Sequence, residues 1–103
     1  MIALHGTDEL EALRARLEEQ YEGHTERLAR LMGPERRGRG DRGGNPAAKA
    51  AAASSSRRAL AEIAHALQRM ADGTYGRCEG CAAVIPVAHL EQLPANRFCP
   101  SCR

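Results

Sequence analysis

The sequence has almost no aromatic side chains, with no Trp, one Phe and two Tyr among 103 residues. So few large apolar groups cannot fill the core of an ordinary globular domain. A chain this short and this poor in bulk usually depends on a metal, a disulfide or a partner for stability. The shortage therefore excludes a conventional core and directs attention to the four cysteines.

A long hydrophobic run is also missing. His5, Asp8 and Glu9 interrupt the N-terminal segment, so neither a secretory signal nor a membrane span is expected. We therefore expect a cytoplasmic protein with no membrane partner, in which reducing conditions favour metal binding by cysteines over disulfides.

No catalytic pattern is evident either. The sequence shows no Ser or Cys nucleophile with a recognisable base, no Gly-rich loop after a strand and no distinctive pair of carboxylates. These are the groups from which an enzyme site is usually recognised. We therefore do not expect an enzyme.

Basic charge is concentrated in the middle of the chain. Residues 33–58 contain seven basic and two acidic residues, for a net charge of +5, whereas residues 1–32 have a net charge of −3. Such a segment can bind an acidic partner. Of the 15 basic residues only Lys49 is a lysine, so general Arg and Ala richness is an equally good explanation.

Two helical segments of similar length are predicted. Residues 8–32 repeat apolar side chains at alternating spacings of about three and four, which is typical of a coiled-coil seam. Asp8 and Glu11 suit a capping box at its start, and Gly33-Pro34 ends it. The seam residues are Leu10, Leu13, Leu17, Tyr21, Leu28 and Leu31, with His24 at one step between them.

The second helix is predicted at 46–71, because Pro46 suits a first helical position and Gly73 suits a left-handed cap. Its seam consists of Leu60, Ile63, Leu67 and Met70. The stretch 47–53 could instead be disordered, but its Ala content favours helix. Joined by a Gly- and Arg-rich tip at 33–45, the helices form an antiparallel coiled-coil hairpin over 1–71. Its distal half, poor in large apolar groups, is expected to be the more mobile.

A four-cysteine module is predicted over 72–103, which makes the fold class mainly α with a small metal finger. Two C-x-x-C pairs, Cys78/Cys81 and Cys99/Cys102, are separated by 17 residues. This spacing is typical of zinc sites, and four thiolates leave no open position on the ion. We expect one structural Zn²⁺ and no metal chemistry.

Other uses of these cysteines fit less well. A thioredoxin-type redox role requires a neighbouring βαβ pattern, which is not evident here. Two disulfides are disfavoured in the expected compartment. An iron site of rubredoxin type is the best rival, although that family separates its cysteine pairs more widely and surrounds them with aromatics. The four His residues share no short ligand spacing.

The C-terminal third resembles the DksA/TraR zinc-finger family. The resemblance depends on Gly73-Thr74-Tyr75-Gly76-Arg77-Cys78-Glu79-Gly80-Cys81, followed by Ile85-Pro86, Leu90-Glu91, Pro94 and Cys99-Pro100-Ser101-Cys102. It implies a transcription regulator that inserts a coiled-coil tip into the secondary channel of bacterial RNA polymerase and alters initiation, often together with ppGpp. We expect a monomer.

The tip departs from the family pattern. Members commonly carry Asp-Pro-x-Asp-x-Ala there, but this chain has Asn45-Pro46-Ala47-Ala48-Lys49-Ala50. Both acids are absent, His89 stands where many members have Arg, and ppGpp binding is left open. The candidate partner contacts are Arg36, Arg37, Arg39, Asp41, Arg42, Asn45, Ala48 and Lys49.

A second functional class remains open, namely a small zinc-binding adaptor that contacts another protein or nucleic acid through the basic tip. Direct DNA binding is not expected, because the tip lacks aromatics for stacking and no recognition helix is evident. Binding to core RNA polymerase would distinguish the two classes.

Overall fold

The computed structural model describes residues 6–32 and 46–102. Two long helices, α1 (Thr7–Met32) and α2 (Pro46–Asp72), contact each other, and a short helix α3 (Val87–Gln92) follows within the cysteine-bearing segment. Arg57, in the first half of α2, lies against Met32 at the end of α1, as expected for an antiparallel hairpin. The predicted fold class, a mainly helical hairpin followed by a four-cysteine module, is confirmed.

The start of α1 differs from the predicted capping box. The helix begins one residue earlier than predicted, and the carbonyl of Gly6 accepts the first helical hydrogen bond, from Leu10 N–H at 2.9 Å. The Glu9 side chain in turn accepts a hydrogen bond from Gly6 N–H at 3.1 Å. Gly6 and Glu9 therefore fill the capping positions assigned to Asp8 and Glu11, because the helix starts upstream of Asp8.

The end of α2 agrees with the predicted left-handed cap. Gly73 has a φ of 80°, and its N–H donates to the carbonyl of Met70 at 3.2 Å. Thr74 N–H donates to the carbonyl of Arg69 at 2.9 Å. These paired bonds form a Schellman motif, which turns the chain sharply out of the helix. At the other end of α2, residues 47–53 are helical rather than disordered.

The core lies at the base of the hairpin, where the helices meet the finger, a name used here for residues 73–102. It joins side chains of α1 and α2 to side chains of the finger in one cluster. Its buried members are Leu13, Leu17, Ile63, Ala66, Tyr75, Cys78, Ile85, Leu90 and Cys99. Because the finger completes this core, the base of the hairpin depends on the finger for its burial. The division of the chain into two domains at residue 72 stays a prediction.

The distal half of the hairpin is held by small side chains. Its buried residues are Ala53 and Ser56, while the seam residues Leu28 and Leu31 are only half-buried. Tyr21, predicted as a seam residue, is 40% exposed. Together with Ala64 and Leu67 of α2, it lines an open depression on the surface. The apolar seam is therefore effective at the base and weak beyond Tyr21.

Helix α3 was not predicted from the sequence. Pro86 precedes it, and Leu90 on its inner face is fully buried in the core. Arg16 of α1 donates a hydrogen bond to the carbonyl of Glu91, so α3 is fixed against the hairpin.

None of the described helices is both long enough and apolar enough to span a bilayer.

Candidate metal centre and its surroundings

The four cysteines converge at the junction of the hairpin and the finger. Their Sγ atoms all lie within 4.8 Å of one another, and those of Cys81 and Cys99 are 3.6 Å apart. A tetrahedral ion with metal–sulfur bonds of about 2.3 Å separates its sulfurs by about 3.8 Å, whereas a disulfide needs about 2.05 Å. All four cysteines are free thiols. The geometry therefore fits a metal ion rather than two disulfides.

Backbone turns shape the first cysteine pair. Gly80 N–H donates to Cys78 Sγ at 3.2 Å, and Ala82 N–H donates to the carbonyl of Cys78 at 2.9 Å. Ala82 has a φ of 68°, an unusual conformation for a residue with a Cβ. A Cβ on Gly80 would come within 3.2 Å of Cys102 Sγ. The turn thus brings both sulfurs to one point and leaves little room beside them.

The electrostatics of the cluster favour a bound cation. Hydrogen bonds from backbone N–H groups lower the pKa of the Cys78 thiol to about 6, and the one from Cys99 has the largest effect. Hydrogen bonds with the other three thiols raise the pKa of the Cys102 thiol to about 12, and the one with Cys78 has the largest effect. One thiol thus ionises easily, while further ionisation brings negative charges together. A metal ion would compensate those charges, and thiolate ligands suit zinc or iron.

A charged network surrounds the first cysteine pair. Glu79, between Cys78 and Cys81, bonds to His65 on α2 and to Arg97 Nε at 3.2 Å. The hydrogen bond from His65, followed by that from Arg97, lowers the pKa of Glu79. Sequence reasoning missed this network because its members are 14 to 18 residues apart. The only local signal was the charge within the Cys-Glu-Gly-Cys turn.

Tyr75 connects the finger to the core by a buried polar contact. Its hydroxyl donates to the carbonyl of Pro94 at 2.7 Å. Burial raises the pKa of Tyr75 to about 12, an effect that the charge of Arg16 partly offsets. The chain thus uses one of its two tyrosines to tie the segment before the first cysteine pair to the segment before the second.

The histidines within residues 6–32 and 46–102 take no part in the cluster. Among the described residues, the one group of metal-binding side chains consists of the four cysteines. His65 is bonded to Glu79 instead. His24 is half-buried on α1, and His89 lies in α3.

The candidate partner contacts at the tip are described only in part. Arg36, Arg37, Arg39, Asp41, Arg42 and Asn45 lie outside the described residues. Ala48 and Lys49 lie in the first turn of α2, with Ala48 exposed and Lys49 half-buried. Their assignment to a partner therefore stays a prediction.

A solved structure can be compared with the overall arrangement of this chain. The transcription factor DksA2 from Pseudomonas aeruginosa superposes with a TM-score of 0.60 at 26% identity. The alignment covers 92% of this chain and 74% of the DksA2 chain. The chain has a DksA-like fold. The DksA-like fold includes both the hairpin and the cysteine-bearing segment, since so little of the chain lies outside the alignment.

Sequence comparisons cover less of the molecule. An uncharacterised protein of Aquifex aeolicus (strain VF5) is 44% identical over 43 residues. General stress protein 16O of Bacillus subtilis (strain 168) is 49% identical over 42 residues. These matches span 30% and 26% of the two relatives, and about two fifths of this chain. No protein-family model matches the chain.

Proposed function

We propose that this protein is a transcription regulator that binds bacterial RNA polymerase through its secondary channel. The observation that carries the proposal is the DksA-like arrangement over 92% of the chain, with four cysteines clustered at the base of a long hairpin. The sequence resemblance to the DksA/TraR family supports the same partner. We propose that the protein acts in the cytoplasm, as a monomer and without catalysis.

Zinc is the metal that we propose for the cysteine cluster. Cys78, Cys81, Cys99 and Cys102 would hold one ion, and their sulfur spacing fits tetrahedral coordination. With four protein ligands the ion supplies folding energy and presents no open position to a substrate. Its role is therefore to stabilise the surface by which the base of the hairpin contacts the polymerase.

The shape of the molecule suits a narrow channel. Helix α1 has 26 residues, which corresponds to about 39 Å at about 1.5 Å per residue. The greatest extent of the molecule is 55 Å, against 26 and 20 Å in the other directions. A slender hairpin can enter the channel, while the broader base stays at its entrance.

The tip is expected to act through basic charge. Residues 33–58 have a net charge of +5, and the acids of the family's tip pattern are absent from 45–50. We propose that this segment competes for carboxylates or phosphates within the channel, in place of carboxylate interference near the catalytic metal. Single exposed pairs contribute at most about 1 kcal/mol, so the effect requires several pairs together.

Binding to core RNA polymerase in increasing salt tests this proposal. The variant with Arg36, Arg37, Arg39 and Arg42 all changed to Ala should bind more weakly, show a shallower salt dependence and alter initiation less than wild type. Arg14→Ala is the control, because this arginine on α1 is 63% exposed and pairs with Glu18.

The possible outcomes separate the parts of the proposal. Absence of binding at low salt would reject the polymerase as partner and favour the adaptor alternative. Retained binding with an unchanged effect on initiation in the four-alanine variant would reject only the role of the basic tip.

A further inference from the structure

Arg69, near the end of α2, makes several side-chain hydrogen bonds to the finger. Its Nη2 donates to the carbonyls of Thr74 and Arg77, each at 2.8 Å. Its Nε donates to Thr74 Oγ1 at 3.3 Å. The side chain is only 13% exposed, although it is charged and lies close to the surface. These bonds fix the segment that leads directly into Cys78.

The same guanidinium also reaches into the first cysteine pair. Arg69 Nη1 lies 3.2 Å from Glu79 Oε2. Glu79 in turn binds Arg97, and Glu79 N–H donates to the carbonyl of Arg97 at 2.9 Å. Arg97 comes two residues before Cys99. A chain of hydrogen bonds therefore runs from α2 through the first cysteine pair to the second.

We propose that Arg69 is a positioning residue that couples metal binding by the four cysteines to the stability of the last turn of α2. The inference rests on the proposed metal site. In other metal sites, mutation of a group that orients the ligands from outside the coordination sphere commonly lowers metal affinity about 10- to 100-fold. Because coupling between two events is reciprocal, metal binding should stabilise the end of the helix by the same free energy.

The coupling has a clear physical origin. Without metal, the turns that carry the cysteines lose their largest source of order, and the carbonyls of Thr74 and Arg77 no longer form a fixed acceptor set. Arg69 would then lose its partners, and the last turn of α2 would lose its contacts with the finger. The hairpin is thus held at a defined angle to the finger only while the metal is bound.

Zinc affinity of the full chain, measured by competition with a chelator, provides the first test. Arg69→Ala should lower the affinity 10- to 100-fold. Arg69→Lys should restore part of it, because lysine keeps the charge near Glu79 but cannot bond several acceptors in a fixed plane. Arg58→Ala is the matched control, since Arg58 is an exposed arginine of the same helix. Equal affinity for Arg69→Ala and wild type would overturn the inference.

Hydrogen exchange distinguishes coupling from simple local stabilisation. In wild type, zinc should increase the protection of the amides of residues 66–72 relative to the chelated protein. In Arg69→Ala this difference should shrink. If the variant loses protection equally with and without zinc, the role of Arg69 is merely structural and the inference fails.

A second variant keeps the test decisive if Arg69→Ala does not fold. Glu79→Gln removes the charge of the acceptor and preserves its shape, so it should also reduce the zinc-dependent protection of residues 66–72. An unchanged difference in Glu79→Gln would contradict the inference. Wild type that binds no zinc at all would instead reject the proposed metal site.

Discussion

The two ends of the hairpin are built from different kinds of side chain. At the base, Leu17 and Ile63 are buried in a core that the finger completes. In the distal half, the buried residues of α2 are Ala53 and Ser56, and Met32 at the end of α1 is 57% exposed. Burial of a large aliphatic side chain contributes about 1.5–3 kcal/mol, and burial of an alanine contributes far less.

This difference indicates that the base of the hairpin provides most of its stability, whereas the distal half mainly provides its length. A helix pair with small facing residues stays thin, which suits a probe, but gains little free energy from burial. A finger that binds the proposed metal would add stability without adding many residues. The chain therefore concentrates its folding energy at one end and is expected to leave the other end slender and more mobile.

Removal of the metal should have the largest effect. Cys81→Ser takes away one of the four proposed ligands, and we expect loss of zinc together with unfolding of residues 73–102, because metal binding and folding share one free energy. Elemental analysis and circular dichroism before and after chelation check this. Persistence of a folded finger in chelator, or iron in the purified protein, would contradict it.

The contrast between the two ends can be tested by changing one leucine to alanine in each half of α1. Leu17→Ala should reduce the free energy of unfolding by about 2–5 kcal/mol, since a fully buried leucine leaves a cavity. Leu31→Ala should cost clearly less, because Leu31 is only half-buried. Denaturant unfolding of the zinc-loaded protein measures both. Equal losses would show that the distal seam is as well packed as the base.

A smaller loss is expected when the buried hydroxyl of Tyr75 is removed. Tyr75→Phe leaves the carbonyl of Pro94 without its 2.7 Å donor, which should cost about 1–3 kcal/mol. The effect should depend on pH. Because burial raises the pKa of Tyr75 to about 12, its contribution should be complete below about pH 10 and lost as the pH rises toward 12.

The titration can be followed directly. In a Tyr21→Phe background Tyr75 is the remaining tyrosine, so tyrosinate absorbance should rise with a midpoint near pH 12. A midpoint near pH 10, the ordinary value for tyrosine, would show that the hydroxyl is not held in a buried site.

The smallest effect, and one of opposite sign, is expected in the distal half. A Cβ built on Gly23 meets nothing within 4 Å, and Gly23 lies within helix α1. Gly23→Ala should therefore increase the free energy of unfolding by up to about 1 kcal/mol. Gly80→Ala is the contrasting control, because its Cβ would crowd Cys102 Sγ. A loss of stability in Gly23→Ala would indicate a packed environment at this position.

Local patterns in the sequence predicted much of this structure. Helical periodicity located both helices to within one residue, Gly73 predicted the turn out of α2, and cysteine spacing predicted the sulfur cluster. These signals are local because each depends on residues within a few positions, or on a spacing that one ion can bridge. Helix α3 has only six residues, too few for periodicity to indicate.

Contacts between distant segments could not be predicted in this way. Nothing near Arg69 in the sequence shows that its guanidinium bonds to Arg77 and Glu79. The exposure of Tyr21 likewise depends on which residues of α2 face it. The start of α1 was assigned to Asp8, whereas Gly6 accepts the first helical bond, because several residues near Asp8 can cap a helix.

Hydrogen exchange along both helices of the zinc-loaded protein most directly tests the contrast between base and distal half. Amides of residues 10–20 and 60–72 should be the best protected in the hairpin. Protection should fall toward residue 32 in α1 and toward residue 46 in α2, and chelation should abolish protection at the base. Uniform protection along both helices, or a base whose protection does not respond to chelation, would contradict the proposed dependence of the hairpin on metal binding at its base.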